Sequence, residues 1–445
     1  MNLTAYFKCS DGCSTKYDLF QTIYRCPQCN GLLSVEHDMD ALKKTSAKEW
    51  KKLFDSRYMK TEWPFGSGVW GKKEFVLPNL DDSNVVSLYE GGTNLFWAER
   101  LGKIIGLNDL WVKQCGNSHT GSFKDLGMTV LVSAVKQKIS NGQQIKAVIC
   151  ASTGDTSASL ASYCAAANIP AVVILPKSKI SKAQLIQPIS NGAHTISLNT
   201  DFDGCMNIIK KLSEDPRFYL ANSINSLRIE GQKTISIELV QQFDWEIPDW
   251  IIVPGGNLGN VSAIGLGFKI MLDTGMINKL PRLICAQSAN ANPLYLSYKK
   301  NFKEFHSVTA QQTSATAIQI GNPVSYKKAI NILQEFNGVV EEVTEDQLID
   351  AVGIADKTGL FTCPQTGVAL AALIKSIRNG LIKPNDKTVV ISTANGLKFT
   401  DFKTSYHDKT LDNITNNKHS MQTVEVNPNY STVLNSILGK FNLVR

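Results

Sequence analysis

Trp250-Ile251-Ile252-Val253-Pro254 runs directly into Gly255-Gly256-Asn257-Leu258-Gly259-Asn260, and a periodic apolar segment from Val261 through Met271 follows. Five apolar residues read as a buried strand, the glycine-bearing hexapeptide as a turn, and the periodic segment as a helix. Strand, glycine-rich turn and helix in that order point several backbone N–H groups at one place, which is what an anion needs. Glycine suits such a turn because a Cβ blocks close approach. The spacing does not match the GxGxxG of dinucleotide folds, and no Gly-Lys-Ser/Thr follows, so the P-loop fails too. A tight connection without a ligand is the plain alternative.

The same grammar repeats on either side. Ala147-Val148-Ile149-Cys150 leads into Ala151-Ser152-Thr153-Gly154-Asp155-Thr156 and an Ala-rich helix containing Leu160, Ala161 and Cys164. Thr388-Val389-Val390-Ile391 ends in Ser392-Thr393-Ala394-Asn395-Gly396. Short apolar runs at 171–175, 195–198, 283–286 and 389–391 alternate with helical periodicity such as Phe202, Met206, Ile209 and Leu212. Continuous apolar runs bounded by turns predict parallel strands buried on both faces, hence an α/β fold with sheets covered by helices. A chain of 445 residues with 43% hydrophobic content suffices for two cores.

Lys124, in Gly121-Ser122-Phe123-Lys124-Asp125, lies where a turn-forming run, Asn117-Ser118-His119-Thr120, gives way to helical spacing at Leu126, Val130, Leu131, Ala134 and Val135. A lysine at a helix N-terminus, partly desolvated, loses its proton more readily than a surface lysine. Those are the requirements of a Schiff-base nucleophile. Pyridoxal phosphate asks a protein for such a lysine, an anion cup and a partner for its ring nitrogen. Lys124, the loop 255–260 and Thr393 supply the three. A neutral Thr hydroxyl leaves the ring nitrogen largely unprotonated, which restrains the electron sink.

Two further segments address a substrate. Hydroxyls and N–H groups at the helix start 152–156 suit an amino acid's carboxylate, with a simple N-cap by Ser152 or Thr153 as the alternative. In Asn222-Ser223-Ile224-Asn225-Ser226-Leu227-Arg228, an Arg beside Asn and Ser forms a fork of donors suited to a phosphoryl group. A helix cap with a solvated Arg is its plain alternative.

HTGSFKDLGMTVLVS from His119, CASTGDTSASLASYCAAA from Cys150, ANSINSLRIEGQKT from Ala221, PDWIIVPGGNLGN from Pro248, CAQSANANPLYL from Cys285 and ISTANGLKFT from Ile391 resemble the plant-type branch of the threonine synthase family. VEHDMDALKK from Val35 and WPFGSGVW from Trp63 fit the same branch, so the likeness runs from about residue 35 to about 400. The resemblance implies a fold-type II pyridoxal-phosphate enzyme, tryptophan synthase β-like, with two doubly wound domains, and the cysteine pattern adds an N-terminal cysteine-rich module at 1–34. It implies a large cofactor domain from 85–124 and 223–400 and a small domain at 125–222. Composition shifts set off an arm at 35–84 and a C-terminal part at 401–445, where polar, Asn-rich 401–429 reads as loop and Leu434, Ile437, Leu438 and Phe441 as a closing helix with one apolar face.

The implied activity converts O-phospho-L-homoserine and water to L-threonine and phosphate. Lys124 resembles the Schiff-base lysine, Gly255, Gly256, Asn257, Leu258, Gly259 and Asn260 the phosphate cup, and Thr393 the ring-nitrogen partner. Ser152, Thr153 and Thr156 resemble the carboxylate site, and Asn222, Ser223 and Arg228 the substrate-phosphate site. Asp155 stands where the wider family usually has Asn, and an ionised Asp cannot donate to the cofactor's 3′-oxygen, which leaves Asn117 as an alternative partner. A homodimer is implied, and plant-type relatives are activated by S-adenosylmethionine bound in the amino-terminal part. The first 30 residues depart from that branch, so activation stays open and no effector residue is assigned. A serine/threonine dehydratase of the same fold would share Lys124 and the glycine loop without needing the donors around Arg228. An inactive homologue that binds a phosphorylated ligand is the reading from another class.

A net charge of +7 without a basic run argues against nucleic acid, and no apolar stretch approaches the ~18 residues of a membrane span. MNLTAYFKCSDGC has neither a basic nor an apolar leader region, so cytoplasm is the expected location. Six of the ten cysteines, Cys115, Cys150, Cys164, Cys205, Cys285 and Cys363, read as buried free thiols. Cys9-x3-Cys13 and Cys26-x2-Cys29 form two close pairs, which suggests a zinc ribbon with thiolate ligation beside the alternative of four free thiols.

Overall fold

The computed structural model describes residues 3–177, 182–412, 414 and 417–441. Its centre is a six-stranded sheet in the order β12-β11-β10-β13-β5-β4. These strands are β4 (Leu95–Trp97), β5 (Leu110–Gln114), β10 (Trp250–Pro254), β11 (Arg282–Ser288), β12 (Val339–Val343) and β13 (Thr388–Ser392). All neighbours are parallel except β4, which runs antiparallel to β5 at the edge. A second, four-stranded parallel sheet has the order β8-β7-β6-β9, from β6 (Ala147–Ala151), β7 (Ala171–Pro176), β8 (His194–Leu198) and β9 (Phe218–Leu220).

Both faces of each sheet are covered, because alternate residues of the central strands enter different cores. Ile251, Val253, Val389 and Ile391 pack into one cluster, while Trp250, Ile252 and Val390 pack into another. In the smaller sheet Val148, Cys150 and Val173 face one way, and Ile149, Ala151 and Ile174 the other. Each fully buried aliphatic side chain contributes roughly 1.5–3 kcal/mol, which is why these runs carry no polar alternation.

The chain leaves the large sheet after β5, builds the smaller sheet between 147 and 220, and returns at β10. Helix Lys124–Ser140 opens that excursion and packs on helix Leu227–Gln232, which follows it. The contact is backbone-close: a Cβ on Gly231 would stand 1.6 Å from the carbonyl oxygen of Leu126, and one on Gly127 would stand 2.8 Å from that of Arg228. Two facing glycines therefore set Lys124 and Arg228 beside each other.

The first strands, β1 (Ala5–Cys9), β2 (Lys16–Tyr17) and β3 (Leu33–His37), form a small antiparallel sheet, β2-β1-β3. The arm 35–84 packs into the main core through Trp50, Phe54, Trp70 and Phe75, all fully buried. Residues 401–429, expected as loop, contain a helix at Thr400–His407. Its apolar face is only Phe402 and Tyr406, and its inner charge, Lys403, pairs with Asp356 where an apolar contact would otherwise be. The closing helix is Tyr430–Phe441, with Ile437 exposed instead of packed, and the side chain of Phe441 lies outside the described residues.

Candidate active site

Lys124 is the first residue of its helix, and the segment before it is stitched to the end of β13. Phe123 N–H donates to the Thr393 carbonyl at 2.9 Å, Asn395 N–H donates to the Gly121 carbonyl at 2.9 Å, and Ser122 bridges Ala394. The next residue, Asp125, is fully buried and accepts from Thr120 N–H at 2.7 Å and from Thr120 Oγ1 at 2.6 Å, which fixes the turn. Lys124 itself is half-buried, and its Nζ lies 3.8 Å from the centroid of the Phe123 ring. Dense protein around the amine pushes its pKa down to about 7, helped by the positive Arg228 and opposed by Asp155 and Cys363. Full enclosure is not needed for that shift, so the amine stays reachable.

Thr393 is 5% exposed, and its hydroxyl lies 3.6 Å from the Cys363 thiol. Thr366 holds the group together: its Oγ1 accepts from Thr393 N–H at 3.3 Å, donates to Ser392 Oγ at 3.2 Å and lies 3.1 Å from Cys363 Sγ.

The turn after β10 enters helix Gly259–Asp273 through Leu258, which adopts a left-handed φ of +65°. A Cβ on Gly255 would meet Cys285 Sγ at 2.5 Å, and one on Gly256 would meet Ile318 at 2.9 Å, so those glycines answer to packing behind the loop. Gly259 differs: a Cβ there has nothing nearer than Ser325 Oγ at 4.0 Å. Asn260 donates to the Pro254 carbonyl at 2.5 Å and closes the turn. Asn257 Nδ2 donates to Ser223 Oγ at 3.3 Å, joining this loop to the segment that carries Arg228.

Arg228 is 5% exposed and has no carboxylate within ion-pair distance among the described residues. Its Nη1 donates to the Ala221 carbonyl at 3.1 Å and its Nη2 to Thr156 Oγ1 at 3.3 Å, while Nε has no partner. Burial pulls its pKa down to about 10. A buried guanidinium without a counter-ion, in contact with two half-satisfied segments, is a site for an anion.

A family profile described as pyridoxal-phosphate dependent enzyme matches residues 86–394. "Threonine synthase 2, chloroplastic" of Arabidopsis thaliana is 56% identical over 407 residues, 91% of this chain and 79% of that protein. The chain belongs to the threonine synthase family. The family's "Threonine synthase" of Methanocaldococcus jannaschii is 39% identical over 390 residues, 87% of this chain and 92% of that protein. Among solved structures, threonine synthase from Escherichia coli overlaps at a TM-score of 0.67, with 18% identity, covering 98% of this chain and 100% of that one, which is a likeness of fold.

In this member of the threonine synthase family, Lys124 is tied to Thr393 through Phe123 and lies near Arg228, whose segment is tied to the 255–260 loop, while four expected residues stand differently from their sequence reading. Asn222 spends its amide on Ala151, donating to its carbonyl at 2.9 Å and accepting from its N–H at 3.1 Å, so it clamps β6 to the segment after β9. Asn117 is exposed, and its Nδ2 donates to Asn94 Oδ1 and Gln114 Oε1, each at 3.2 Å. Neither Ser152 nor Thr153 caps helix Asp155–Ala166; Ser152 Oγ accepts from Gly154 N–H at 3.2 Å, Gly154 takes the cap position, and the first-turn N–H groups have no side-chain cap. Thr153 and Thr156 are half-buried beside it.

Asp155 is buried, with Oδ1 3.4 Å from Lys398 Nζ and accepting no hydrogen bond. Lys398 also donates to the Thr120 carbonyl at 2.9 Å and to Gln187 Oε1 at 2.6 Å. Lys398, Cys363 and Thr366 were missed in the sequence, where each looks like an ordinary helix or core residue. An amine of lowered pKa, open room at Gly259, a hydroxyl on Thr393, whose carbonyl accepts from Phe123 beside Lys124, and a guanidinium without a carboxylate partner among the described residues together fit pyridoxal 5′-phosphate. The four N-terminal cysteines also meet, with all their sulfur atoms within 4.8 Å of one another.

Proposed function

We propose that this protein converts O-phospho-L-homoserine and water to L-threonine and phosphate, with Lys124 anchoring pyridoxal 5′-phosphate. The observation that carries the reading is Arg228, a buried cation lacking a carboxylate partner, tied through Thr156 to one wall of the cleft and lying five residues after Ser223, which is tied to the other. A dehydratase acting on serine or threonine has no phosphate to neutralise it.

When bound, the cofactor supplies an aldehyde that condenses with amines and a conjugated ring that takes up electron density from the carbon next to nitrogen. The residues supply the rest. Gly255, Gly256, Asn257, Leu258, Gly259 and Asn260 would hold its phosphate on backbone N–H groups, and Thr393 Oγ1 would meet its ring nitrogen. A neutral hydroxyl there neither adds nor removes charge. Lys124 Nζ, neutral in a large fraction near pH 7, accepts the proton from the substrate's α-carbon. Uncapped N–H groups at Asp155–Thr156, with Ser152 and Thr153, orient the substrate carboxylate. Arg228, Ser223 and Thr156 bind the phosphoryl group and stabilise its charge as it departs. Asn222 acts by holding Ser223 against β6. Asp155, paired with Lys398, is not assigned as a donor to the 3′-oxygen, and Asn117 would serve as its alternative partner only by giving up its bonds to Asn94 and Gln114.

The same reading includes the domain division at 124/125 and 222/223, a homodimer, a cytoplasmic location beside a relative named chloroplastic, S-adenosylmethionine as an effector, and zinc at the four cysteines. The deciding assay compares phosphate release from O-phospho-L-homoserine with ammonia release from threonine. Phosphate with L-threonine supports the proposal; ammonia alone overturns it. Initial rates at saturating S-adenosylmethionine, unchanged from those without it, would remove the effector.

A further inference from the structure

We propose that Cys9, Cys13, Cys26 and Cys29 hold one structural zinc ion, and that this centre braces both walls of the substrate-phosphate site. The first part stands on geometry alone; the second rests on the function proposed above.

Each pair sits on a knuckle shaped for a metal. Cys9 precedes Gly12, at a φ of +100°, and Cys26 precedes Asn30, at +60°. The turns close through Asn30 N–H to the Cys26 carbonyl at 2.8 Å, Cys26 N–H to the Gly31 carbonyl at 2.8 Å and Ser10 N–H to the Leu32 carbonyl at 2.8 Å. Backbone donors point at the sulfurs, Asp11 N–H at Cys9 Sγ (3.3 Å) and Gly31 N–H at Cys29 Sγ (3.4 Å). The knuckles touch so closely that a Cβ on Gly31 would lie 2.6 Å from Asp11 Oδ2. Tetrahedral zinc with Zn–S near 2.3 Å sets sulfurs about 3.8 Å apart. Here Cys9 and Cys29 lie 3.4 Å apart, and all four fall within 4.8 Å. Four thiolates in that arrangement take zinc or iron. The proposed reaction transfers no net electrons, so the redox-inert ion is the one assigned. β2, β1 and β3 are too short to bury a core of their own, and Cys9 and Cys26 are already 5% and 2% exposed, so the metal completes the module.

From this module two connections reach the phosphate site. Leu220 N–H donates to the Tyr24 hydroxyl at 2.7 Å, two residues before Asn222. On the other wall, Lys327 donates to Asp11 Oδ1 at 3.0 Å and Lys328 to the Leu33 carbonyl at 2.6 Å. These lysines follow Ser325, whose N–H donates to the Asn257 carbonyl at 3.1 Å. The module thus holds the segments of Ser223 and Asn257 at once.

Elemental analysis of the full-length holoenzyme purified without chelator is expected to give one zinc per chain, and Cys26→Ser with Cys29→Ser to give none. Zinc absent from the unsubstituted protein while all four thiols react freely with a disulfide reagent overturns the site, and iron in its place overturns the zinc assignment. These readings need no substrate and no soluble cysteine variant. Tyr24→Phe keeps all four ligands: it is expected to retain one zinc and its cofactor absorbance while raising KM for O-phospho-L-homoserine about 3- to 10-fold with kcat changed less. An unchanged KM at full zinc content overturns the brace. Zinc present without any phosphate release would sink the proposed reaction and leave the metal site standing.

Discussion

Lys124 is a lysine whose surroundings disfavour its charge, and the consequences are measurable. Lys124→Ala is expected to abolish covalent cofactor attachment and to cut turnover by at least about 10²–10⁴-fold, read from the visible spectrum and from phosphate release. Because its pKa falls to about 7, the cofactor-free chain should react with an added aldehyde at a rate that climbs with pH and levels off above about 7, well below the plateau of a free lysine. The sign for stability follows. Between pH 7 and the ordinary lysine value of 10.5 the unfolded chain holds a proton that the folded chain lacks, so the cofactor-free protein gains stability as pH rises through that window. Lys124→Met should therefore be more stable than the unsubstituted chain at pH 7, by a margin that shrinks toward pH 10 in denaturant titrations. Arg228→Ala should lower kcat/KM for O-phospho-L-homoserine by about 10²-fold or more while leaving the cofactor spectrum intact. Lys124 and Arg228 were legible because a lysine or arginine among small polar residues is unusual in sequence. Cys363 was not: in sequence it is one buried thiol among several, and only folding sets it 3.6 Å from Thr393.

The same separation holds among elements. Fully buried strands announce themselves as unbroken apolar runs, and β7, β10, β11 and β13 form where such runs lie; β8, expected as a buried strand at 195–198, is instead an edge strand with no buried residue, because no strand among the described residues pairs its outer side. Helix Thr400–His407 escaped that logic, since its inner contact is an ion pair with Asp356. In the loop 255–260 the sequence treats every glycine alike, whereas the structure divides them. Gly255→Ala meets Cys285 and should cost about 1–3 kcal/mol of stability by overpacking. Gly259→Ala meets open room at the first residue of a helix, so stability should hold or rise slightly while cofactor affinity falls. Thermal unfolding of the cofactor-free proteins alongside cofactor titration separates the two. Equal losses of stability would contradict the division.

Across the whole molecule, a buried charge cluster of the body faces Lys72 of the arm 35–84. Glu238 accepts from Gly92 N–H at 2.8 Å and Thr93 N–H at 3.0 Å and pairs with Lys113, while burial lowers the nearby Lys72 to about 8. Glu238→Gln leaves two buried lysines without their anion and should destabilise the fold by about 3–5 kcal/mol in denaturant titrations. The amino-acid sequence by itself determined the α/β class, the strand and helix alternation, the lysine, the glycine loop and the paired cysteines. Each of these is written in local pattern: apolar runs, turn residues and short spacings, which act over a few residues. Only the tertiary structure decided that Gly127 and Gly231 let two helices touch, that Asn222 is a clamp, that Asp155 meets Lys398, and that the cysteine module bonds to Leu220 on one side and to Lys327 and Lys328 on the other. Those contacts join residues up to about three hundred positions apart, and their energies depend on burial and direction, which no local pattern carries.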